Sequence, residues 1–474
     1  MPVRPVDLVN VERVVMARIE TVPKPSIAMP DRRPEVPLER YRERLRTTSE
    51  MMARHGLDHL VVYGDRERAA DLHHLTGIDP RFEEGILVLA RDGSATVLLG
   101  NENRGRGDVS ELGLRVRLFQ ELSPQGQVRD RPTQLETILG EAGLDSGCQV
   151  GVVGGKSFSA GFVSDPERSL AVPSYLADAV RNVVGADHVR NAQQLFVHPE
   201  VGLRSINTAH EVAEAEYASA ISSLAVHRAA AAITVGERAD RLADMLSDGG
   251  VQRSVHPMVN FGERTRLGVV SPIDQRVELG DAFQIAFGLK GSLTCRSGIV
   301  AHGPGDLEPA TAEFFEALTL NYFDTVVAWY RAVRIGATGG EVHAAADTVR
   351  DDSLFRFSLN PGHTLGYEEW LESPFSPGNP TPLRSGLLLQ GDIIPEYDGP
   401  TVGANIEDGV ALADEELRAS LAETYPEAYD RIQQRRDYLA ETIGVQLDAS
   451  VLPLSNTPLW HAPYVLDQSR ALTV

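Results

Sequence analysis

The residues best placed to do chemistry lie in 280–299, where small and polar side chains recur two positions apart between two apolar runs. The runs read as a β-hairpin, with Gly288 and Gly291 bracketing its turn. Side chains two apart on a strand share a face, so Gln284 lies beside Ala286, and Cys295 and Ser297 on the return strand point the same way. That surface offers an amide and a hydroxyl for substrate binding, and a thiol that becomes a nucleophile if a neighbouring base takes its proton. Further candidates for substrate contact are His256, before a proline at the entrance to this region, and Tyr367, Glu368 and Glu369 in a loop that follows the glycine-flanked His363.

Positioning these groups takes more than one core, because 474 residues imply two or three domains. Residues 1–37 are proline-rich and aperiodic, an arm lying on the body or on a partner subunit. A helical pattern over 38–55 stops at Gly56, and apolar runs at 57–63, 85–90, 95–99 and 149–154 alternate with helical stretches up to about residue 203, the pattern of an α/β domain. A second domain, 204–414, opens where Asn207 or Thr208 caps an alanine-rich helix with Glu211 in its first turn. A linker at 256–259, the hairpin, helices over 314–333 and 340–349, the loop 360–366 and strands over 387–394 and 403–412 follow, then a charged helix and a proline-containing tail over 415–474.

The net charge of −22 argues against nucleic acid and anionic membrane as partners and suits a neutral or cationic small-molecule substrate. Two cysteines, Cys148 and Cys295, exclude a disulfide scaffold and fit a reducing cytoplasm. No signal-peptide core and no apolar run long enough to span a bilayer is visible.

The Gly280-Asp281 opening, the strand, the glycine turn and the second strand resemble the active-site hairpin of the creatinase, prolidase and methionine aminopeptidase superfamily. The phrase Leu72-His73-His74-Leu75-Thr76-Gly77 is similar to the N-terminal domain of creatinase and prolidase. The resemblance covers roughly residues 40–413 and implies an α/β creatinase-like N-terminal domain followed by an α+β pita-bread catalytic domain. It also implies a homodimer, in which one subunit's N-terminal domain caps the other's site. In the metallopeptidases of the superfamily the hairpin supplies two metal-binding aspartates, six and seventeen residues after its glycine, and these positions are Ala286 and Ser297. His363 falls on the metal histidine, Asp392 where a glutamate normally stands, and Glu407 on the last ligand, while a second family histidine, seven residues after the first, is Trp370.

A dinuclear site needs five ligands, hard carboxylates and one imidazole. With three left, no metal and no other cofactor is expected. The leading expectation is therefore a metal-independent, creatinase-like hydrolase or lyase acting on a C–N or similar bond of a small amine-bearing or guanidino molecule. His363, Cys295, Glu407 and Asp392 are its catalytic candidates, with Gln284, Ser297, Tyr367, Glu368, Glu369 and His256 contacting substrate. In one form His363 takes the Cys295 proton and a Cys/His nucleophile results; in the other His363 acts alone as general base. The alternatives are a metallopeptidase of the Xaa-Pro aminopeptidase or prolidase type and a catalytically silent binding protein.

Overall fold

The computed structural model describes residues 17–106 and 111–474, so residues 1–16 of the 1–37 arm lie outside the described residues. Chain contacts divide it into two compact units, Glu35–Ile206 and the remainder. A short strand, β1 (Arg18–Thr21), precedes the first unit in the chain but belongs to the second.

The Glu35–Ile206 unit is built on a six-stranded mixed sheet of β2 (His59–Gly64), β3 (Gly85–Ala90), β4 (Ala95–Leu99), β5 (Arg115–Leu118), β6 (Val150–Val153) and β7 (Val189–Asn191), ordered β5-β4-β3-β2-β6-β7. Parallel pairing of β2 with β6 and of β6 with β7 follows from intervening helices, and the β3–β4 hairpin from its Asp92-Gly93 turn, where Asp92 accepts from the Ser94 N–H at 2.8 Å. β2 is buried along its whole length, which is why it reads as an unbroken apolar run rather than an alternating one.

The second unit holds a seven-stranded antiparallel sheet of β8 (Met258–Phe261), β9 (Ala282–Leu289), β10 (Ser292–Ile299), β12 (His363–Thr364), β13 (Leu388–Gly391), β15 (Asn405–Leu412) and β16 (Val451–Pro453). Its order is β12-β13-β15-β10-β9-β8, with β16 on β15. β11 (Arg356–Phe357) pairs with β14 (Pro395–Glu396), and β17 (Arg470–Thr473) with β1. The helix Ala209–Ala231 begins at the expected cap, with the Thr208 N–H held by Glu211 at 2.8 Å. Its alanine-rich face lets it pack closely on Phe283, Ile285, Phe287 and Leu289, the odd-numbered residues of β9. The helix Pro309–Ala332 packs Phe315, Leu318, Tyr322, Phe323 and Trp329 with Leu389, Ile406 and Leu412.

Three local expectations change. Residues 256–259 are not a linker: Met258 starts β8, which pairs with β9 as an edge strand of the sheet. Gly288 is inside β9 and not at the turn; a Cβ there would come within 2.6 Å of Ser254 Oγ and Val255 Cγ1. The turn is Lys290-Gly291, with Gly291 at φ 92°, a conformation that a side chain disfavours. The stretch after Glu415 is two helices, Glu415–Thr424 and Pro426–Tyr438, followed by a tail that is almost wholly buried from Val451 to Val465.

Candidate active site

Strand register sets the site. Met258 pairs with Ala286, Ala286 with Cys295, and Cys295 with Glu407, a row across four strands. β13 pairs Gln390 with Gly409 and Gly391 with Asp408, and continuing that register one step sets Asp392 opposite Glu407. A second row runs Asn260, Gln284, Ser297, Asn405. His363 enters from β12, where it pairs with Gln390. Gly362 makes that approach possible: it sits at φ 104°, and a Cβ there would lie 2.6 Å from the Gln390 carbonyl.

The rows line a cavity of about 550 Å³, whose walls include Met258, Gln284, Ala286, Cys295, Ser297, His363, Asp392, Asn405 and Glu407. His363 is buried, and its Nε2 lies 3.8 Å from Asp392 Oδ2 and 3.8 Å from Glu407 Oε1. Its Nδ1 is 3.2 Å from the Thr364 carbonyl, which can only accept, so Nδ1 carries the proton and Nε2 turns its lone pair to the carboxyls. Burial lowers the pKa of the ring, against the pull of Asp392. Burial, with the Glu407 charge, pushes Asp392 up to about 8 against His363 and Asn405, and burial, with the Asp408 charge, pushes Glu407 up to about 8. The arrangement therefore pairs a neutral base with buried acids that hold a proton at neutral pH, the two complementary functions of acid–base catalysis.

The structure brings seven of the ten expected residues to this cavity: His363, Asp392, Glu407, Cys295, Gln284, Ser297 and Glu369. Tyr367, Glu368 and His256 are not on its lining. The Tyr367 hydroxyl donates to Gln252 at 2.9 Å and its ring carries Lys290 at 3.3 Å, while the His256 imidazole meets the Val269 carbonyl at 3.2 Å. Cys295 is enclosed by Met258, Ala286 and Val255; burial, then the Glu407 charge, pushes its thiol well above the ordinary range, so no thiolate forms. Its polar neighbour is the Ser297 hydroxyl at 3.9 Å, not His363. Of the two mechanistic forms, His363 as general base is the one this geometry accommodates.

Trp370 stacks on His363, centroids 4.3 Å apart and planes 23° apart, and joins the lining. Sequence reasoning noted this position only as the place of a missing histidine. Asn405 and Met258 were missed, although Asn405 stands two before Glu407 and so shares its strand face.

Ala286 and Ser297 put no carboxylate at the two cavity positions where the resemblance implies metal-binding aspartates. One cation does fit. His363, Asp392 and Glu407 offer ligand atoms within 4.8 Å of one another, the one such group of His, Cys, Asp and Glu among the described residues. Asp392 Oδ1 and Glu407 Oε1 are buried with no hydrogen-bond partner within the chain.

No protein-family model and no curated protein matches the sequence. Among solved structures, the chain is similar to the recombinant prolidase of Thermococcus sibiricus, with a TM-score of 0.62 and 18% identity over 79% of this chain and 95% of that one. It is similar to dipeptidase PepE of Mycobacterium ulcerans, with a TM-score of 0.60 and 22% identity over 80% and 95%. The Xaa-Pro dipeptidase of Bacillus anthracis gives a TM-score of 0.58 and 17% identity over 80% and 96%. The fold is that of the prolidase and Xaa-Pro dipeptidase structures. Among the described residues no helix is long and apolar enough to cross a membrane.

Proposed function

We propose that the protein is a hydrolase of the prolidase and creatinase superfamily, cleaving a C–N bond in a small amine-bearing substrate. The observation that carries it is the pair of buried carboxyls, Asp392 and Glu407, each 3.8 Å from the imidazole Nε2 of His363 inside one cavity. Two buried acceptors without partners are costly alone, by several kcal/mol if charged, and a positive group beside them removes that cost.

The chain's own groups account for both proton transfers. His363 Nε2 takes a proton from a water as its oxygen bonds to the carbonyl or amidine carbon. As the C–N bond breaks, the protonated carboxyl of Asp392 or Glu407 gives its proton to the departing nitrogen. One water is consumed and an amine is released. Ser297 and Gln284, on the adjoining row, are placed to orient the substrate.

The structural neighbours favour the Xaa-Pro peptide bond as the scissile bond over a guanidino group. If that form includes a metal, His363, Asp392 and Glu407 would hold a single divalent ion, which supplies Lewis-acid activation of water. Elemental analysis of protein purified without chelator, together with Xaa-Pro dipeptides, alkyl amides and guanidines assayed for released amine, tests the proposal. We expect at most one divalent ion per chain, turnover of at least one substrate class, and loss of that turnover by at least about a hundredfold in His363→Ala. Two ions per chain, or an active His363→Ala variant, would overturn it.

A further inference from the structure

The floor of the cavity and its opening have opposite character. The floor presents buried acceptors: besides Asp392 Oδ1 and Glu407 Oε1, the amide oxygens Gln284 Oε1 and Asn405 Oδ1 are buried and without partners within the chain. All four residues line the cavity. Glu369 and Glu396 stand at its rim, Glu396 already paired with Arg356 Nη2 at 3.2 Å. The one guanidinium on the lining, Arg266, is already engaged, by Thr401 Oγ1 at 2.6 Å, by the Gly399 carbonyl at 2.9 Å and by Glu263 at 3.5 Å. Such a surface offers a donor-bearing cation several acceptors at once.

The opening, by contrast, is apolar and exposed. Val269, Leu359, Trp370 and Ile394 are 72%, 48%, 39% and 39% accessible, and all four line this same cavity. Single exposed apolar side chains are ordinary, but four from separate segments converging on one opening mark a surface that gains by being covered. Trp370 joins the two regions, one face stacked on His363 and its remaining surface at the opening.

We propose that the ligand of this cavity is an amphiphilic organic cation, its charged nitrogen between Asp392 and Glu407 beside His363 and its apolar body along Val269, Leu359, Trp370 and Ile394. The proposal rests on the site reading above and adds the substrate class to it.

Calorimetric titration of the metal-free 474-residue chain with n-alkylamines from butylamine to octylamine tests it, with n-alkanols and n-alkanoates of equal length as controls. Each methylene laid on the apolar opening should tighten amine binding roughly three- to fourfold. Alkanols and alkanoates should bind at least about tenfold more weakly than the matched amine. Leu359→Ser combined with Ile394→Ser, both exposed and so tolerable to the fold, should flatten the chain-length dependence. Asp392→Asn should weaken every amine.

If amines bind and need Asp392, but affinity is flat with chain length, the apolar subsite is wrong and the catalytic site reading survives. If alkanols or alkanoates match the amines, the cationic head is wrong. If no amine binds, or Asp392→Asn is without effect, the site reading fails and this inference fails with it.

Discussion

Replacing Asp392 by Asn should make the metal-free protein more stable at pH 7, against the usual direction for a substitution in a buried polar cluster. The reason is proton linkage. Asp392 has a folded pKa near 8 against an ordinary 3.8, so between those values the folded state holds a proton that the unfolded chain has released. Where the native state binds more protons, stability falls as pH rises, by about 1.4 kcal/mol per pH unit for each such group. At pH 7 the interval above the ordinary value corresponds to about 4 kcal/mol, an upper figure for a group beside a second raised carboxyl, Glu407. Asn does not titrate and avoids this cost, but it buries an amide whose new N–H donors need partners, at about 1–2 kcal/mol. The expected net gain is about 2–3 kcal/mol at pH 7. Urea unfolding of the parent and the variant, both treated with chelator, measures it between pH 5 and 8. The difference between them should grow with pH across that window. A variant that is less stable throughout, with a difference independent of pH, would show that Asp392 is an ionised structural partner and refute the argument.

Two further outcomes follow from the same geometry. Cys295→Ser should leave turnover within about threefold of the parent, because a thiol kept protonated by burial and the Glu407 charge supplies no nucleophile; a loss of orders of magnitude would restore the Cys/His form of the site. His461 and His227 line a small second cavity, where burial, with the Arg296 charge, lowers His461 to about 3, and burial, with the Lys24 charge, lowers His227 to about 4. Here the unfolded chain binds the proton first, so stability is lost as pH falls from about 6.5, by about 1.4 kcal/mol per unit for each ring. His461→Gln should make acid unfolding shallower, and an unchanged acid slope in the variant would contradict the assignment.

How much of this was legible in the sequence depended on the distance over which each feature is decided. The face shared by Gln284, Ala286, Cys295 and Ser297 could be read even with the turn misplaced at Gly288, because moving it to Lys290-Gly291 shifts the register by an even step and alternation keeps each side chain on its face. The cap of the helix Ala209–Ala231 could be read for the same local reason. Residues 256–259 were misread because a short run after a proline carries little strand signal, and its pairing with β9 is what makes it a strand. The helix Pro309–Ala332 was begun five residues late, since Pro309 reads as a breaker although a proline is well tolerated in a first turn. Glu407 and Cys295 become neighbours only because β15 inserts between β10 and β13, an order that local periodicity does not encode.

What holds that order lies on the back of the same strands. Between Cys295 and Ser297 stands Arg296, and beside Glu407 stands Asp408, each pointing away from the cavity by alternation. Arg296 Nη2 meets Asp408 Oδ2 at 2.7 Å and the Thr457 carbonyl at 2.7 Å, its Nε donates to the Trp460 carbonyl at 3.1 Å, and its Nη1 reaches the Glu407 carbonyl at 3.2 Å. Asp408 also accepts from the Leu459 N–H at 2.9 Å. A buried ion pair is poor evidence for stability, because desolvating both charges cancels much of their attraction. Its geometry is specific all the same: a one-residue slip of β15 against β10 would strand Arg296 and Asp408 unpaired in the interior and turn Glu407 out of the cavity. The charged residues that looked least like catalytic ones in the sequence thus restrict the sheet to the register in which Glu407 and Asp392 face His363, and they use the buried tail to do it.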